Sequence, residues 1–504
     1  MEVKADNTST TNNGVAMDAS KERNGYETQL NSWVEKEKAS HDMVNLIGQL
    51  WYNKSVELII FRRPLVDRRA SQVLNFHEYA RNVVKQPISI HDTLLLTKGL
   101  ANLDLAPSWI DIGHLAAEWL LQKEKLNNDV DVFLKNELLH IIEADNNYLQ
   151  PKDVVLFGFG RVGRLIAREL IAQSGKGQQL RLRAIVTRSS SDKDIIKRAE
   201  LLRVDSVHGY FPGTVIEDLE NKAIIVNGHT IKMIACDTIG KLDLEAYGIS
   251  DALLIDNTGI ARMRNDLGGH LESKGVSKVL LTAPGKDDIP NIVHGVNHKD
   301  ADMNTESLFS AASCTTNAIV PVLDVIENSL GIENGHIETI HSYTNDQNLL
   351  DNYHKKYRRG RSAALNMVIT ETGAAKAVVK AIPSLKDKLT ASAVRVPTPN
   401  VSLAILKLSV KKSTTKEEVN ELMKDAALNG KLVEQIQYSY SNELVSSDIV
   451  GNTCATVFDS PATIVSNNGK DIILYAWYDN EYGYSCQVVR LGKYISKVVR
   501  LKYY

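Results

Sequence analysis

The glycine-rich turn at Gly158 constrains the fold of this chain more than any other stretch. An apolar run, Val154-Val155-Leu156-Phe157, breaks into Gly158-Phe159-Gly160-Arg161-Val162-Gly163 and continues as a helical pattern from Arg164 to Ile171. A strand that passes through G-x-G-x-x-G into a helix has a physical reading at each glycine. Gly158 permits the tight turn, Gly160 lets backbone approach a pyrophosphate, and Gly163 lets the helix pack closely on the strand. The helix N-terminus is left to receive phosphates. Strand patterns at Leu182 to Val186, Leu253 to Ile255 and Val279 to Leu281 alternate with helical stretches. Such alternation predicts an α/β fold, a doubly wound and mainly parallel Rossmann sheet that binds a dinucleotide.

A second stretch carries chemistry. In Ala312-Ser313-Cys314-Thr315-Thr316-Asn317 a cysteine is ringed by hydroxyls and an amide, and a helical pattern from Ala318 to Leu330 begins at it. The thiolate is the reactive form, and positive charge, a helix N-terminus or a partner imidazole favours it. His341, in Thr339-Ile340-His341-Ser342-Tyr343-Thr344, is the candidate partner. Taken alone, a single cysteine is more often an inert apolar residue and a single histidine more often structural. A redox cofactor beside a nucleophilic cysteine implies aldehyde or thioester chemistry.

Composition bounds the partners. The chain has 504 residues with 59 basic against 61 acidic ones, a formal charge of −2. That balance offers no bulk electrostatic case for nucleic acid or membrane as a partner. Its cysteines, Cys236, Cys314, Cys454 and Cys486, show no metal-type clustering, so no metal site is expected and reduced thiols in a cytoplasmic setting are. No run approaches ~18 apolar residues, and the opening lacks the apolar core of a signal peptide.

From about Lys152 onward the sequence resembles phosphorylating glyceraldehyde-3-phosphate dehydrogenase, in a bacterial form with an N-terminal helical extension. The matching blocks run in order: GFGRVGR at Gly158, DSVHGYFPGTV at Asp205, TAPGKDD at Thr282, GVNH at Gly295, SCTTNAIVP at Ser313, HSYTNDQNLLD at His341, RRGRSAALNMV at Arg358, TETGAAKAV at Thr370, AVRVPTPNVS at Ala393 and WYDNEYGYS at Trp477. The resemblance implies an oxidoreductase of glycolysis and gluconeogenesis that converts glyceraldehyde 3-phosphate, phosphate and NAD(P) to 1,3-bisphosphoglycerate and NAD(P)H through a cysteine thioester. Cys314 would be nucleophile and His341 general base. Thr344 and Arg395 would bind the substrate phosphate, with Arg361 a weaker phosphate candidate. Ser313, Thr315, Thr372 and Gly373 would bind the inorganic one. Cofactor contacts would come from Gly158, Phe159, Gly160, Arg161, Val162, Gly163, Thr187, Arg188, Thr258, Gly259, Thr282 and Asn480, the last orienting the nicotinamide carboxamide. A homotetramer is implied as well. Rival readings are the related erythrose-4-phosphate dehydrogenase, which hydrolyses its thioester, and a non-catalytic scaffold whose extension binds a partner.

The cofactor itself, NADP and/or NAD, turns on one strand tip. Folds that prefer NAD carry an acidic residue ~20 residues beyond the glycines, where it accepts hydrogen bonds from the ribose 2′-hydroxyl. Here Thr187 stands at that place, followed by Arg188 and three serines, with Asp192 the first carboxylate. The expectation is that NADP is used at least as well as NAD. The domain reading is a disordered tail at 1–25, an all-α extension at 26–150, the dinucleotide-binding domain at 151–313, an α+β catalytic domain with an antiparallel sheet at 314–480, and a C-terminal helix returning to the dinucleotide domain at 481–504.

Overall fold

The computed structural model describes residues 19–504, with side chains from residue 25. Residues 1–18 of the expected tail lie outside the described residues, and the helix Ala19–Gln49 takes the remainder. The chain divides into two compact units. One comprises the chain through Leu50, Glu57–Leu103 and Asp111–Leu138; the other comprises Trp51–Val56, Asp104–Ile110 and Leu139–Tyr504.

The first unit is helical, as its amphipathic stripes require. Helices Ala70–Tyr79, Ile90–Asn102, Ile112–Gln122 and Val130–Glu137 follow the long first helix. Ile112, Leu115 and Trp119 are buried on one face of their helix, and Trp119 meets Phe133 with ring centroids 5.2 Å apart. Helix starts are fixed locally. Ser89 and Asp92 form a reciprocal capping box, and Asp111 accepts from the backbone N–H groups of Gly113 and His114. The extension is not wholly helical. Glu57–Ile60 pairs antiparallel with Arg63–Pro64, and Ser108–Asp111 is a strand. Pro64 and Pro107 explain both interruptions, since neither can continue a helix ladder.

In the second unit an eight-stranded sheet carries the glycine turn. Six strands are parallel in the order Leu308–Ser310, Val276–Leu281, Ala252–Asp256, Lys152–Phe157, Leu180–Thr187 and His229–Ala235, and two antiparallel strands extend it. The chain leaves Lys152–Phe157 toward one side and later returns on the other at Ala252–Asp256. A crevice therefore opens beyond Phe157, where the order reverses and ligands of such sheets bind. Gly158 has φ +96°, and a Cβ on Gly163 would lie 2.6 Å from the carbonyl oxygen of Gly158. Both glycines are thus dictated by sterics.

A second sheet stands behind the cysteine, in the order Val368–Thr370, Leu389–Val396, Ile332–Ser342, Ser402–Val410, Asp471–Tyr478, Thr456–Asp459 and Ile436–Ser439. It is mixed rather than purely antiparallel. Leu389–Val396 runs parallel to Ile332–Ser342, and Ile436–Ser439 parallel to Thr456–Asp459. Each parallel pair is joined by a crossover containing helical turns, as parallel neighbours require. The C-terminal helix ends at Ile495, and Leu501–Tyr503 forms a strand parallel to Ser108–Asp111.

Candidate active site

Cys314 is the first residue of the helix Cys314–Ser329, which Ser313 caps by accepting from the Thr316 N–H. The residue before the cap, Ala312, is held at φ +54°. That left-handed conformation is uncommon for a residue with a Cβ and marks local strain. Its backbone is anchored at both ends: the Ser310 hydroxyl accepts from its N–H at 3.0 Å, and the Tyr484 phenol donates to its carbonyl at 3.0 Å.

His341 comes from the strand Ile332–Ser342, and its Nε2 lies 3.6 Å from Cys314 Sγ. The ring's other nitrogen, Nδ1, lies 2.7 Å from the Ser342 carbonyl oxygen. A carbonyl only accepts, so Nδ1 carries the proton and Nε2 turns a lone pair toward the sulfur. Burial, reinforced by the charge of Arg395, lowers the imidazole to about 4. Burial also pushes the Cys314 thiol up, against Arg395 and hydrogen bonds from Thr315. Burial thus works against the thiolate that the helix N-terminus favours.

Arg395 projects from the neighbouring parallel strand, at the register position directly opposite His341. Its guanidinium donates at 3.0 Å to Thr344 Oγ1 and at 3.0 Å to the Ser342 carbonyl, while its buried Nε has no partner among the described residues. An orphaned guanidinium donor beside a threonine hydroxyl suits an anion. Asp346 accepts from both Thr344 and Arg359, and Arg359 donates to Thr370 at 2.7 and 3.0 Å. Asn480 presents its carbonyl to the Ser342 and Ser402 hydroxyls at 2.9 and 2.8 Å, which leaves its NH₂ group as the free end.

Cys314, His341, Thr344, Asp346, Arg395 and Asn480 wall one cleft of about 850 Å³ together with Gly160, Arg161, Val162, Thr258, Thr282 and Ser313. The cleft fits a dinucleotide. A Cβ at Gly160 would meet nothing within 4 Å, so backbone there is open to a phosphate, at the start of the helix Arg161–Ala172. The buried Asn257 Oδ1, also on the wall, lacks a partner among the described residues. Other expected contacts stand off the cleft. Thr315 is buried, with its hydroxyl 3.0 Å from the Tyr478 phenol. Thr372 accepts from the Ala374 N–H beside Gly373, which caps its helix. Gly158, Phe159, Gly163 and Gly259 shape the turns beneath. Arg361 is exposed and pairs with Asp351 at 2.8 Å, so its charge is already met. Thr187 bonds the Ser189 carbonyl at 2.8 Å and Arg188 is exposed, while Asp192 pairs with Lys222 instead of folding back.

Sequence reasoning missed a polar knot beside the glycine turn. Arg161 bonds Glu481 at 2.5 Å and Asp205 at 3.2 Å, and His208 lies between Asp205 and Asp479 at 3.3 and 3.4 Å. It also missed Arg359 and the strain at Ala312.

Two family models match in sequence: the NAD binding domain of glyceraldehyde 3-phosphate dehydrogenase over residues 152–264 and its C-terminal domain over 313–480. Glyceraldehyde-3-phosphate dehydrogenase 2 of Trichormus variabilis is 41% identical over 345 residues, covering 68% of this chain and 98% of the relative. This chain belongs to the glyceraldehyde-3-phosphate dehydrogenase family. It is an oxidoreductase of that family with a nicotinamide dinucleotide as cofactor. Glyceraldehyde-3-phosphate dehydrogenase 1 of Bacillus subtilis is 40% identical, over 68% of this chain and 97% of the relative. A glyceraldehyde-3-phosphate dehydrogenase-like protein of Pseudomonas aeruginosa is 49% identical over 452 residues, 89% of this chain and 97% of the relative. That longer match runs well into the segment ahead of Lys152, so the helical extension is shared with this relative.

Proposed function

We propose that this chain oxidises glyceraldehyde 3-phosphate with inorganic phosphate to 1,3-bisphosphoglycerate through a thioester on Cys314. The observation that carries the reading is the Nε2 lone pair of His341 aimed at Cys314 Sγ, with Arg395 and Thr344 beside it. As Cys314 attacks the aldehyde carbon, Nε2 takes the thiol proton and the sulfur–carbon bond forms. The resulting oxyanion is met by the Cys314 N–H, one of the donors a helix leaves unpaired at its start. The protonated imidazole then hands its proton to that oxygen, giving a hemithioacetal. A bound nicotinamide supplies the hydride acceptor for oxidation to the thioester. In that oxidation Nε2 removes the hydroxyl proton. Arg395 and Thr344 hold the substrate phosphate, and Asn480 orients the carboxamide of the cofactor with its free NH₂ end. Phosphate then adds to the thioester carbon, the carbon–sulfur bond breaks, and the acyl phosphate leaves as Cys314 recovers its proton.

The same reading takes NADP at least as readily as NAD, because the strand Leu180–Thr187 ends in threonine where NAD-preferring folds carry a carboxylate, and Arg188 is exposed beside it. It also takes the chain as a cytoplasmic homotetramer. The exposed Leu349, Leu350, Tyr353, Tyr357, Leu365 and Met367 support self-association, and four free cysteines suit a reducing compartment. The test is reduction of NAD and of NADP by the purified protein with glyceraldehyde 3-phosphate or erythrose 4-phosphate, with and without inorganic phosphate. Turnover that needs phosphate and favours the three-carbon aldehyde supports the proposal; phosphate-independent oxidation of the four-carbon one overturns it.

A further inference from the structure

A second cavity, of about 410 Å³, lies away from the catalytic cleft. It is walled by the amino-terminal halves of Leu180–Thr187 and His229–Ala235, whereas the cleft opens at the carboxyl ends of the parallel strands. Lys176, Arg181, Arg183 and Lys232 all face it, and no acidic residue among those described lines it. Among the described residues only Arg183 meets a carboxylate, Asp153 at 2.8 Å. The other three are held by neutral carbonyls: Lys176 on Asn53 at 2.9 Å, Arg181 on Gly177 at 2.5 Å and Lys232 on Asn221 at 3.1 Å. Each keeps further N–H donors. Asp218, whose field reaches Lys232, is itself bonded to Asn221.

Gathering these cations round one concavity is self-repulsive unless an anion completes it. The arrangement is also braced. Lys176 sits between Gly175 and Gly177, at φ +49° and +73°, and Gly175 lies so close under Trp51 that an added Cβ would stand 3.0 Å from the indole. The Trp51–Val56 segment of the extension thus fixes the loop that presents Lys176. At the rim, Tyr247 is 44% exposed and offers a ring face. Several fixed cations round a cavity of this size suit more than one phosphate group, and Arg181 brings a planar fork suited to phosphate oxygens.

We propose that this pocket is a second ligand site, separate from the catalytic cleft, that binds a small polyphosphate, either free or as the phosphate chain of a nucleotide stacked on Tyr247. The test is calorimetric titration of the full chain, saturated with NADP, with inorganic tripolyphosphate and separately with ATP. Both should bind at one site, and Arg181→Gln with Lys232→Gln should weaken both by about tenfold or more, given charge-assisted contacts. Basal turnover and Tm should stay unchanged in that double variant. Lys176→Gln, at the braced loop, should weaken both as well. A further loss for ATP alone in Tyr247→Leu assigns the nucleotide; equal affinities in that variant assign the free polyphosphate. Absence of binding by either probe, or binding indifferent to the double variant, overturns the site. Because binding is read directly, that failure leaves the catalytic reading untouched.

Discussion

The phenol of Tyr478 and the hydroxyl of Thr315 stand 3.0 Å apart, tying the first turn of the helix that bears Cys314 to the strand Asp471–Tyr478 behind it. Both side chains are buried, so the bond has no water to replace it. Tyr478→Phe should lower stability by about 0.5–1.5 kcal/mol, the worth of one such bond. Thr315 then loses its anchor beside the sulfur, and kcat/KM should fall while the Kd for cofactor holds. Denaturant melts and cofactor titration of the variant check both; unchanged kcat/KM would show that the tie is purely structural.

Cys314→Ser should abolish turnover and leave cofactor binding intact, because the glycine turn is untouched. His341→Asn should slow hydride transfer by about 10²–10⁴-fold, the usual worth of a positioned base. Single-turnover kinetics read both. A serine variant that keeps much of the wild-type rate sinks the thioester route, and a loss of only a few-fold in His341→Asn moves the base elsewhere.

The pH profile follows from the lowered imidazole. His341 stays neutral in the fold down to about 4, against 6.5 when unperturbed. The acid limb of kcat/KM should therefore lie well below the ordinary histidine range and disappear in His341→Asn. The sign for stability is the reverse of a salt-bridged histidine: the unfolded chain takes the proton first, so stability declines as pH falls from 6.5 toward about 4. An acid limb near 6.5 would mean that the ring is protonated in the working enzyme.

Cofactor choice can be pressed further with Asp194. Its carboxylate accepts from the Ser189 and Ser191 hydroxyls at 2.5 Å each, in the loop that follows Thr187 and Arg188. Arg188→Ala should weaken NADP much more than NAD, and Asp194→Asn should improve NADP relative to NAD by removing a like charge near a 2′-phosphate. Steady-state kcat/KM for both cofactors decides it, and parallel changes for the two would remove this loop from the specificity argument.

Glu434 supplies a prediction about the tail. Burial works against its charge, yet Lys502 at 2.5 Å and Arg490 at 3.3 Å hold the carboxyl far below its ordinary range. Lys502→Met leaves Arg490 as the main counter-charge and should lower stability by about 2 kcal/mol, less than breaking a buried pair outright. A depressed carboxylate stabilises above its unfolded value and loses that effect as pH falls through its folded one. The gap between variant and wild type should therefore narrow in acid, which urea melts across pH would show.

The parts of the site legible in the sequence are those that short-range chemistry dictates. Gly158 and Gly163 are read from spacing, because sterics at a strand-to-helix turn leave no other residue, whereas Gly160 is legible only as the open backbone position between them. Cys314 is legible through its hydroxyl-rich cap, and Arg395 only through the family block around it. What stayed hidden depends on partners far along the chain. The salt links of Arg161 to Asp205 and Glu481 join segments that share no periodicity. The strain at Ala312 arises from bonds to Ser310 and Tyr484, not from alanine itself. Likewise, residues 51–56, 104–110 and 139–150, which read as part of a separate extension, belong to the same compact unit as the catalytic cleft. Leu501-Lys502-Tyr503 is too short for alternation to separate a strand from a helix end.

The strand Leu501–Tyr503 lies parallel to Ser108–Asp111, with Leu501 opposite Ser108. Joining them closes a loop over residues 108–501, and parallel pairing between segments so far apart is intrinsically slow. Lys502 caps the closure by sitting over the rings of Trp109 and Tyr504. Trp109 is thereby a built-in clock of maturation: its fluorescence should settle last during refolding, after the catalytic fold is complete, and a nascent chain would expose that indole to chaperones until the final strand docks.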